Sequence, residues 1–438
     1  MTLTGSRTYV GFGLGPIQAG LFLYEAFRSG HFARLVVAEV APPVVNELRA
    51  AGGSYRLNIA HPDHVETTSV GPVEAYNPSI SEDRERVAAT LAEAHEIGTA
   101  VPSVESYVAP GEGSLHRVLA AGLTRKVFQS GPRAVVYTAE NDNAAAETLE
   151  RLVLGELPEP LHAQVRSSVQ FLNTVIGKMS GLVADPDVGA THASPLLPTA
   201  TPRGRRAFLV EAFNRILISK IRFDPPFERG ITVFDEKENL LPFEEAKLFG
   251  HNATHALAAY LGRLMRIQKI AELRSVPGMV PFLRDAFLYE SGEALIRRHR
   301  GVDRLFTREG YAEYAENLLD RMTNPFLMDT VERVARDPQR KLGWNDRLVG
   351  TMRLALSEGI EPRRYAIGAA AACAALSEGV LDGRVRLAEL ALQLWSSSHP
   401  EQAEREKVLA LVDKGARCLQ NWRKSGFPDL EKFFENVS

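Results

Sequence analysis

Residues 8–27 limit most sharply what this chain can fold into. Thr8-Tyr9-Val10-Gly11-Phe12 is almost wholly apolar, as a strand covered on both faces must be. Gly13, Gly15 and Gly20 punctuate the next stretch, Gly-Leu-Gly-Pro-Ile-Gln-Ala-Gly, and Leu21-Phe22-Leu23-Tyr24-Glu25-Ala26-Phe27 then reads as a helix. Strand, glycine turn and helix together make a dinucleotide cradle. The glycines let the backbone approach a pyrophosphate, and the helix N-terminus faces its charge. Gly13, Gly15 and Gln18, which stands in place of a turn glycine, are therefore candidate cofactor contacts. A second apolar strand at 35–38 is closed by Glu39. A carboxylate at that strand end would bind a ribose diol and repel a 2′-phosphate, so the expected cofactor is NAD rather than NADP. The competing reading is a glycine-rich turn beside a surface glutamate.

The first half continues as alternating strands and helices. Residues 55–59 and 66–70 read as an antiparallel extension. Residues 96–101 form a short strand whose end carries Thr99 and Ala100. Residues 134–138 form another, followed by Glu140-Asn141-Asp142-Asn143, and 169–172 lead to Asn173-Thr174-Val175. Open α/β sheets place ligands at the C-terminal ends of their strands, which adds Thr99, Ala100 and Asn141 to the cofactor candidates. A Pro-, Thr-, Ala- and Gly-rich seam at 185–206 ends in Arg203-Gly204-Arg205-Arg206. The expected domains are 1–205, a Rossmann dinucleotide-binding domain, and 206–438, an all-α substrate and catalytic domain. The basic run at the seam is a solvated linker or, alternatively, a phosphate site.

Residues 240–261 carry the chemistry of the second half. Pro242, Glu244 and Glu245 are what a helix start should show, since proline's missing N–H costs nothing there and acids offset the dipole. At the usual α-helical period Lys247, Asn252 and His255 fall within an arc of roughly 140° on an otherwise apolar helix. A lysine in an apolar cleft loses hydration, so its pKa drops toward neutrality and it can take a proton from a substrate hydroxyl. Asn252 and His255 are spaced to hold the same oxygen as it passes between hydroxyl and carbonyl. That is alcohol/ketone redox chemistry without a metal. His251 and His255 are four apart, as on a zinc-protease helix, but Asn252 occupies the place of that motif's general base. A core helix with satisfied polar residues is the plainer alternative. From residue 240 onward the pattern is almost wholly helical.

The remaining composition excludes more than it assigns. With 51 Lys and Arg against 54 Asp and Glu, net charge is -3, and nothing favours nucleic acid. No apolar run is long enough to span a bilayer, so no membrane partner is expected. Cys373 and Cys418 lie in no ligand-spaced cluster and read as reduced thiols of a cytoplasmic protein.

Taken together, these motifs resemble the polyol-specific long-chain dehydrogenase/reductase family over nearly the whole chain. Lys-Leu-Phe-Gly-His-Asn-Ala-Thr-His-Ala at 247–256 is similar to the Lys-Leu-Phe-x-x-Asn-x-x-His-Ala segment of its mannitol-phosphate branch, and Ala-Tyr-Leu-Gly at 259–262 continues it. Glu290-Ser291-Gly292, the run at 324–334 and Pro-Gln-Arg-Lys-Leu at 338–342 are similar to the same branch. The resemblance implies an NAD-dependent enzyme that acts on a sugar alcohol or its ketose, as a monomer or homodimer. It makes Lys247 the acid/base and Asn252 and His255 the ligands of the reacting oxygen. It also implies that Asn173, Arg333 and Lys341 contact the polyol chain, with Asp337 in register between the last two. Gly13, Gly15, Ile17 and Glu39 match the family's cofactor turn. The chain departs from the family at Gly177-Lys178, where Asp-Arg is frequent, at Ala246, where a basic residue is frequent, and at Gln18. Near Ser219-Lys220 it lacks the paired acids of some free-polyol enzymes, which favours an anionic substrate such as mannitol 1-phosphate. Arg203, Arg205, Arg206, Arg297, Arg298 and Arg340 are the candidate phosphate ligands. A free polyol, a keto-uronate of the tagaturonate or fructuronate type, and a nucleotide sensor without turnover stay open as alternatives.

Overall fold

The computed structural model describes residues 5–184, 199–201 and 204–437 and divides into two compact units, Met1–Leu241 and Pro242–Ser438. Among the described residues the first unit contains twelve strands: β1 Arg7–Phe12, β2 Phe32–Ala38, β3 Tyr55–Ala60, β4 Val65–Val70, β5 Glu74–Tyr76, β6 Glu96–Thr99, β7 Ala134–Thr138, β8 Val169–Val175, β9 Ser180–Ala184, β10 Arg206–Glu211, β11 Ile216–Ser219 and β12 Phe234–Lys237. An eight-stranded sheet runs β12-β11-β8-β7-β6-β1-β2-β5. From β5 to β8 it is parallel throughout. Strand order reverses between β1 and β6, and such a switch point is where doubly wound sheets open a ligand crevice. Both faces of the central strands are covered by apolar clusters, which explains why β1, β2 and β7 read as continuous apolar runs. The expected antiparallel extension is the β3–β4 hairpin, which joins a separate sheet in the order β4-β3-β10-β9.

The domain boundary expected at 205/206 moves to 241/242. Strand β10 pairs with β3 and β9, and β11 pairs with β8 and β12, so residues 206–241 complete the sheets of the first unit. Local composition marked the seam but could not reveal strand partners more than a hundred residues upstream. Gly20 belongs to the same packing. A side chain there would overlap Val210 of β10, so glycine lets the first helix lie against the second sheet.

The second unit is helical. Its core gathers the helices Ala253–Leu264, Arg363–Leu376 and Gln402–Lys424. The alanine-rich Arg363–Leu376 packs closely, as expected: a Cβ on Gly368 would stand 2.7 Å from Leu257 Cδ1, and one on Gly415 would stand 2.6 Å from the Ala366 carbonyl. The stretch read as one α-helix is not uniform. Leu241–Glu245 and Ala253–Leu264 are α-helical, but Ala246–Asn252 between them is π-helical. A second π-helix, Ala286–Gly292, packs against it, and Gly250 leaves room for the Phe287 ring and the Tyr311 hydroxyl. Among the described residues no helix is long and apolar enough to cross a membrane.

Candidate functional site

The first unit builds a cradle at the end of β1. Gly13 has φ +78°, a left-handed conformation that needs glycine, and its N–H donates to the Ala38 carbonyl at 2.8 Å. A side chain there would also come within 2.8 Å of the Ala100 carbonyl oxygen. Around Gly15 nothing lies within 4 Å of where a Cβ would stand, so the backbone there faces open space. Ile17 precedes the helical turn Gln18–Leu23. Glu39 closes β2, and its carboxylate accepts the N–H groups of Leu14 (2.7 Å) and Ala41 (2.8 Å). A carboxylate has about four lone-pair sites, so it can still accept from a diol. A bare-backbone turn, a helix start and an acid held beside them are a set that fits a dinucleotide.

Gln18 does not belong to that set through its side chain. It is fully buried, and its amide donates to the Tyr9 hydroxyl at 2.8 Å. Gly11 makes room for the amide, and Gly98 makes room for the Tyr9 hydroxyl. Gln18 therefore fills a polar pocket inside the core where a glycine would have left a void. Thr99 is also buried, and its hydroxyl donates to Glu140 at 2.8 Å. The Ala100 N–H donates to the Phe12 carbonyl at 3.0 Å, which ties the end of β6 to the glycine turn. Asn141 is exposed. Glu140, singled out by no sequence signal beyond its place after β7, organises this corner. It accepts from Thr99, from the Val101 N–H at 2.9 Å and from the Tyr107 hydroxyl, and burial raises its pKa. Asn173, at the end of β8, is nearly buried; its oxygen accepts the Ala146 N–H at 2.8 Å and its nitrogen donates to Glu147 at 2.8 Å. Lys178, at the departure from the family pattern, donates to the carbonyls of Glu211 and Phe213 (2.5 and 2.7 Å) and is a structural tie.

The π-helical segment of the second unit changes how the catalytic candidates meet. In an α-helix residues five apart diverge by about 140°, whereas π-helical hydrogen bonds run from i to i+5 and bring them to one side. Lys247 and Asn252 are five apart within Ala246–Asn252. Asn252 and His255 are three apart at the start of the following α-helix, where such residues are neighbours. The grouping expected from sequence thus arises by a different geometry. Burial, and then the Arg347 charge, lower the Lys247 pKa from 10.5 to about 8. His251 is buried and pushed well below its ordinary value by that burial, so it is neutral.

His255 lies 3.3 Å from Asp329 through Nε2, which among the described residues makes no other hydrogen bond. Burial alone would raise the Asp329 pKa, but His255 and Arg333 outweigh it and hold the carboxyl well below the usual range. Arg333 grips Asp329 with two 2.6 Å hydrogen bonds, so His255, Asp329 and Arg333 form one chain. Two non-glycine residues of this region, Met328 and Asp337, have positive φ (53° and 54°). Strain of this kind persists where surrounding structure imposes it, and functional sites are common hosts. Lys341 is buried, donates to the Arg336 carbonyl, and is lowered to about 8 by burial first and Arg347 second. Arg347 was missed in the sequence, although it follows Lys341 by only six positions.

The expected phosphate arginines are spread over both units. Arg203 lies outside the described residues. Arg206 starts β10, and Arg205 stands just before it. Arg297 is bonded to Glu293 and the Glu358 carbonyl, and Arg298 to Ser357 and Glu358. Only Arg340 is close in sequence to Lys341, and its Nε is held by Asp337 at 2.9 Å. Among the described residues no group of three or more His, Cys, Asp or Glu is placed to hold a metal ion.

Comparison with known proteins bears on both units. Residues 239–412 match the mannitol dehydrogenase C-terminal domain. A mannitol-1-phosphate 5-dehydrogenase of Arthrobacter sp. (strain FB24) is 30% identical over 399 residues, which cover 90% of this chain and 92% of the relative. One from Geobacillus thermodenitrificans (strain NG80-2) is 33% identical over 341 residues, covering 78% and 79%. Among solved structures, Pseudomonas fluorescens mannitol 2-dehydrogenase in a ternary complex with NAD and D-mannitol is similar in fold. Its TM-score is 0.68 at 16% identity, over 100% of this chain and 96% of that one.

Proposed function

Because the chain belongs to the mannitol dehydrogenase family, we propose that it is an NAD-dependent polyol dehydrogenase that interconverts a sugar-alcohol phosphate, such as mannitol 1-phosphate, and its ketose phosphate. The observation that carries this reading is the π-helical turn that puts Lys247 beside Asn252, with the lysine's pKa lowered to about 8. A group that titrates there exchanges protons readily near neutral pH.

The residues divide the work. The unprotonated Lys247 amine takes the proton of the reacting hydroxyl in oxidation and returns it in reduction. The Asn252 amide and the His255 imidazole would hold the same oxygen, strengthening their grip as charge develops on it. Asp329 holds the His255 ring in place, and Arg333 does the same for that carboxylate. No metal ion is needed, because the lysine supplies the base. Gly13, Gly15 and the backbone before Gln18 would receive the NAD pyrophosphate, and Glu39 the adenosine ribose. NAD, when bound, supplies the two-electron acceptor. Arg333, Lys341 and Asn173 would contact the polyol chain, the first two while holding their present partners.

The test is NADH oxidation by the purified protein with fructose 6-phosphate, fructose and a keto-uronate side by side. Fast turnover with the phosphate alone is the expected result. Turnover only with an unphosphorylated sugar or acid would overturn the substrate and leave Lys247 as base. Cofactor binding without turnover across the panel would replace the enzyme with a sensor.

A further inference from the structure

A phosphorylated substrate needs a cation with donors to spare; of the arginines nominated by the sequence, Arg203 is outside the described residues, Arg205 and Arg206 belong to the first unit, Arg297 and Arg298 are bonded to neighbours, and Arg340 is 54% exposed and so keeps its water. Arg347 differs from Arg340 in burial: in both an aspartate holds the Nε, at 2.7 Å from Asp346 in Arg347, but the Arg347 side chain is only 13% exposed. Among the described residues its two terminal nitrogens have no hydrogen-bond partner. A guanidinium that has lost most of its water with two nitrogens unpaired calls for an anion that can take both.

Its backbone is fixed beside the catalytic turn. The Thr351 hydroxyl bridges the carbonyls of Arg347 and Phe249, at 2.5 and 3.2 Å, and Phe249 is two residues from Lys247. Gly350 admits the Phe249 ring, since a Cβ there would stand 2.8 Å from its Cε1. On the other side the Leu348 N–H donates to the Lys341 carbonyl at 3.3 Å. The Tyr260 hydroxyl is buried without a partner. The positive charge of Arg347 is felt at Lys247, Lys341, His251 and Tyr260 alike, as expected of a cation standing among them.

We propose that Arg347 is the specificity-determining residue for the phosphate, its two terminal guanidinium nitrogens taking two phosphate oxygens with Lys341 and the Tyr260 hydroxyl alongside. This rests on the sugar-phosphate reading above. A phosphate esterified to the far end of a polyol chain would be held there while Lys247 serves the reacting carbon.

The experiment compares Arg347→Gln and Arg347→Lys with the wild type in the full chain, measuring kcat/KM with NADH for fructose 6-phosphate and for fructose. In Arg347→Gln the preference for the phosphorylated sugar falls about 100-fold, mostly through KM, as expected for a lost charge-assisted pair. Arg347→Lys keeps the charge but not the fork and falls about tenfold. It carries the test if the glutamine variant does not fold, and NADH binding by fluorescence checks folding in both. Equal losses on both sugars would overturn the proposal and make Arg347 a positioning residue of Lys247. A wild-type preference that survives in both variants would overturn it while leaving the sugar-phosphate reading intact. A wild type without any preference would remove both.

Discussion

Two lysines with lowered pKa values stand in opposite surroundings in this protein. Lys126, on the helix Leu115–Phe128 of the first unit, is 1% exposed, and burial lowers it to about 7. Its three ammonium protons go to the carbonyls of Ala92, Ala94 and Pro132, at 3.2, 2.6 and 2.7 Å. Those carbonyls bind a proton donor but cannot relay a proton, so the lysine is a rivet between the end of one helix and the loop before β7. Lys247 is lowered to about 8 by burial and Arg347, and shares its face with Asn252 and His255. The shifts are alike and the partners are not. A perturbed pKa marks burial, and only the neighbours decide whether chemistry follows.

The largest effects come from exchanging the two roles. Lys247→Ala should lower kcat about 10³-fold or more, the scale of a lost general acid/base. NADH binding and melting temperature should hold. Lys126→Ala should do the reverse, costing roughly 3 kcal/mol of stability by stranding three buried carbonyls, with kcat of the folded fraction kept. Urea melts and initial rates on both variants would collapse the comparison if Lys126→Ala lost turnover first. Asn252→Ala comes next, with about 10²-fold in kcat expected from losing one donor to the reacting oxygen. An unchanged rate would confine the oxygen's ligands to Lys247 and His255.

Titration sharpens the contrast. Polyol oxidation should rise with pH through a kinetic pKa near 8 and level off above it, because only the unprotonated Lys247 accepts a proton. Arg347→Gln should move that pKa upward, since a nearby positive charge is removed. Lys126 enters stability instead. Its folded pKa, about 7, lies below the ordinary 10.5, so the unfolded chain holds more protons between those values and stability should climb with pH across that window. The climb attributable to Lys126 should vanish in Lys126→Met, read by thermal melts at fixed ionic strength.

Smaller effects separate the cradle from its packing. Glu39→Ser should narrow the preference for NAD over NADP by roughly tenfold, as a like-charge repulsion is lifted. Retained selectivity would assign Glu39 only to holding Leu14 and Ala41. Gln18→Ala should cost about 1 kcal/mol, for the lost hydrogen bond to Tyr9, without altering the dissociation constant for NADH. A weakened cofactor would restore Gln18 to the cradle.

Much of this was legible in the chain itself. The apolar runs at β1, β2, β7 and β8, the glycine turn, Glu39, and the Lys247, Asn252 and His255 set are local patterns, and local patterns reflect which faces must be buried and where the backbone must be bare. Tertiary structure decided the rest. Strands β10 to β12 belong to the first unit because β10 pairs with β3 and β11 joins β12 to β8, and pairing leaves no trace in composition. The π-helical turn overrode the 3.6-residue period that had placed Lys247 and Asn252 apart. Gln18 turned inward because Gly11 left a space for it. Glu140 and Arg347 take their surroundings from neighbours brought together across the fold: Thr99 and Tyr107 around the one, and the 247–260 segment, about a hundred residues upstream, around the other. Residue type and spacing determine which chemistry is possible, whereas desolvation and the company of charges exist only once distant segments have packed.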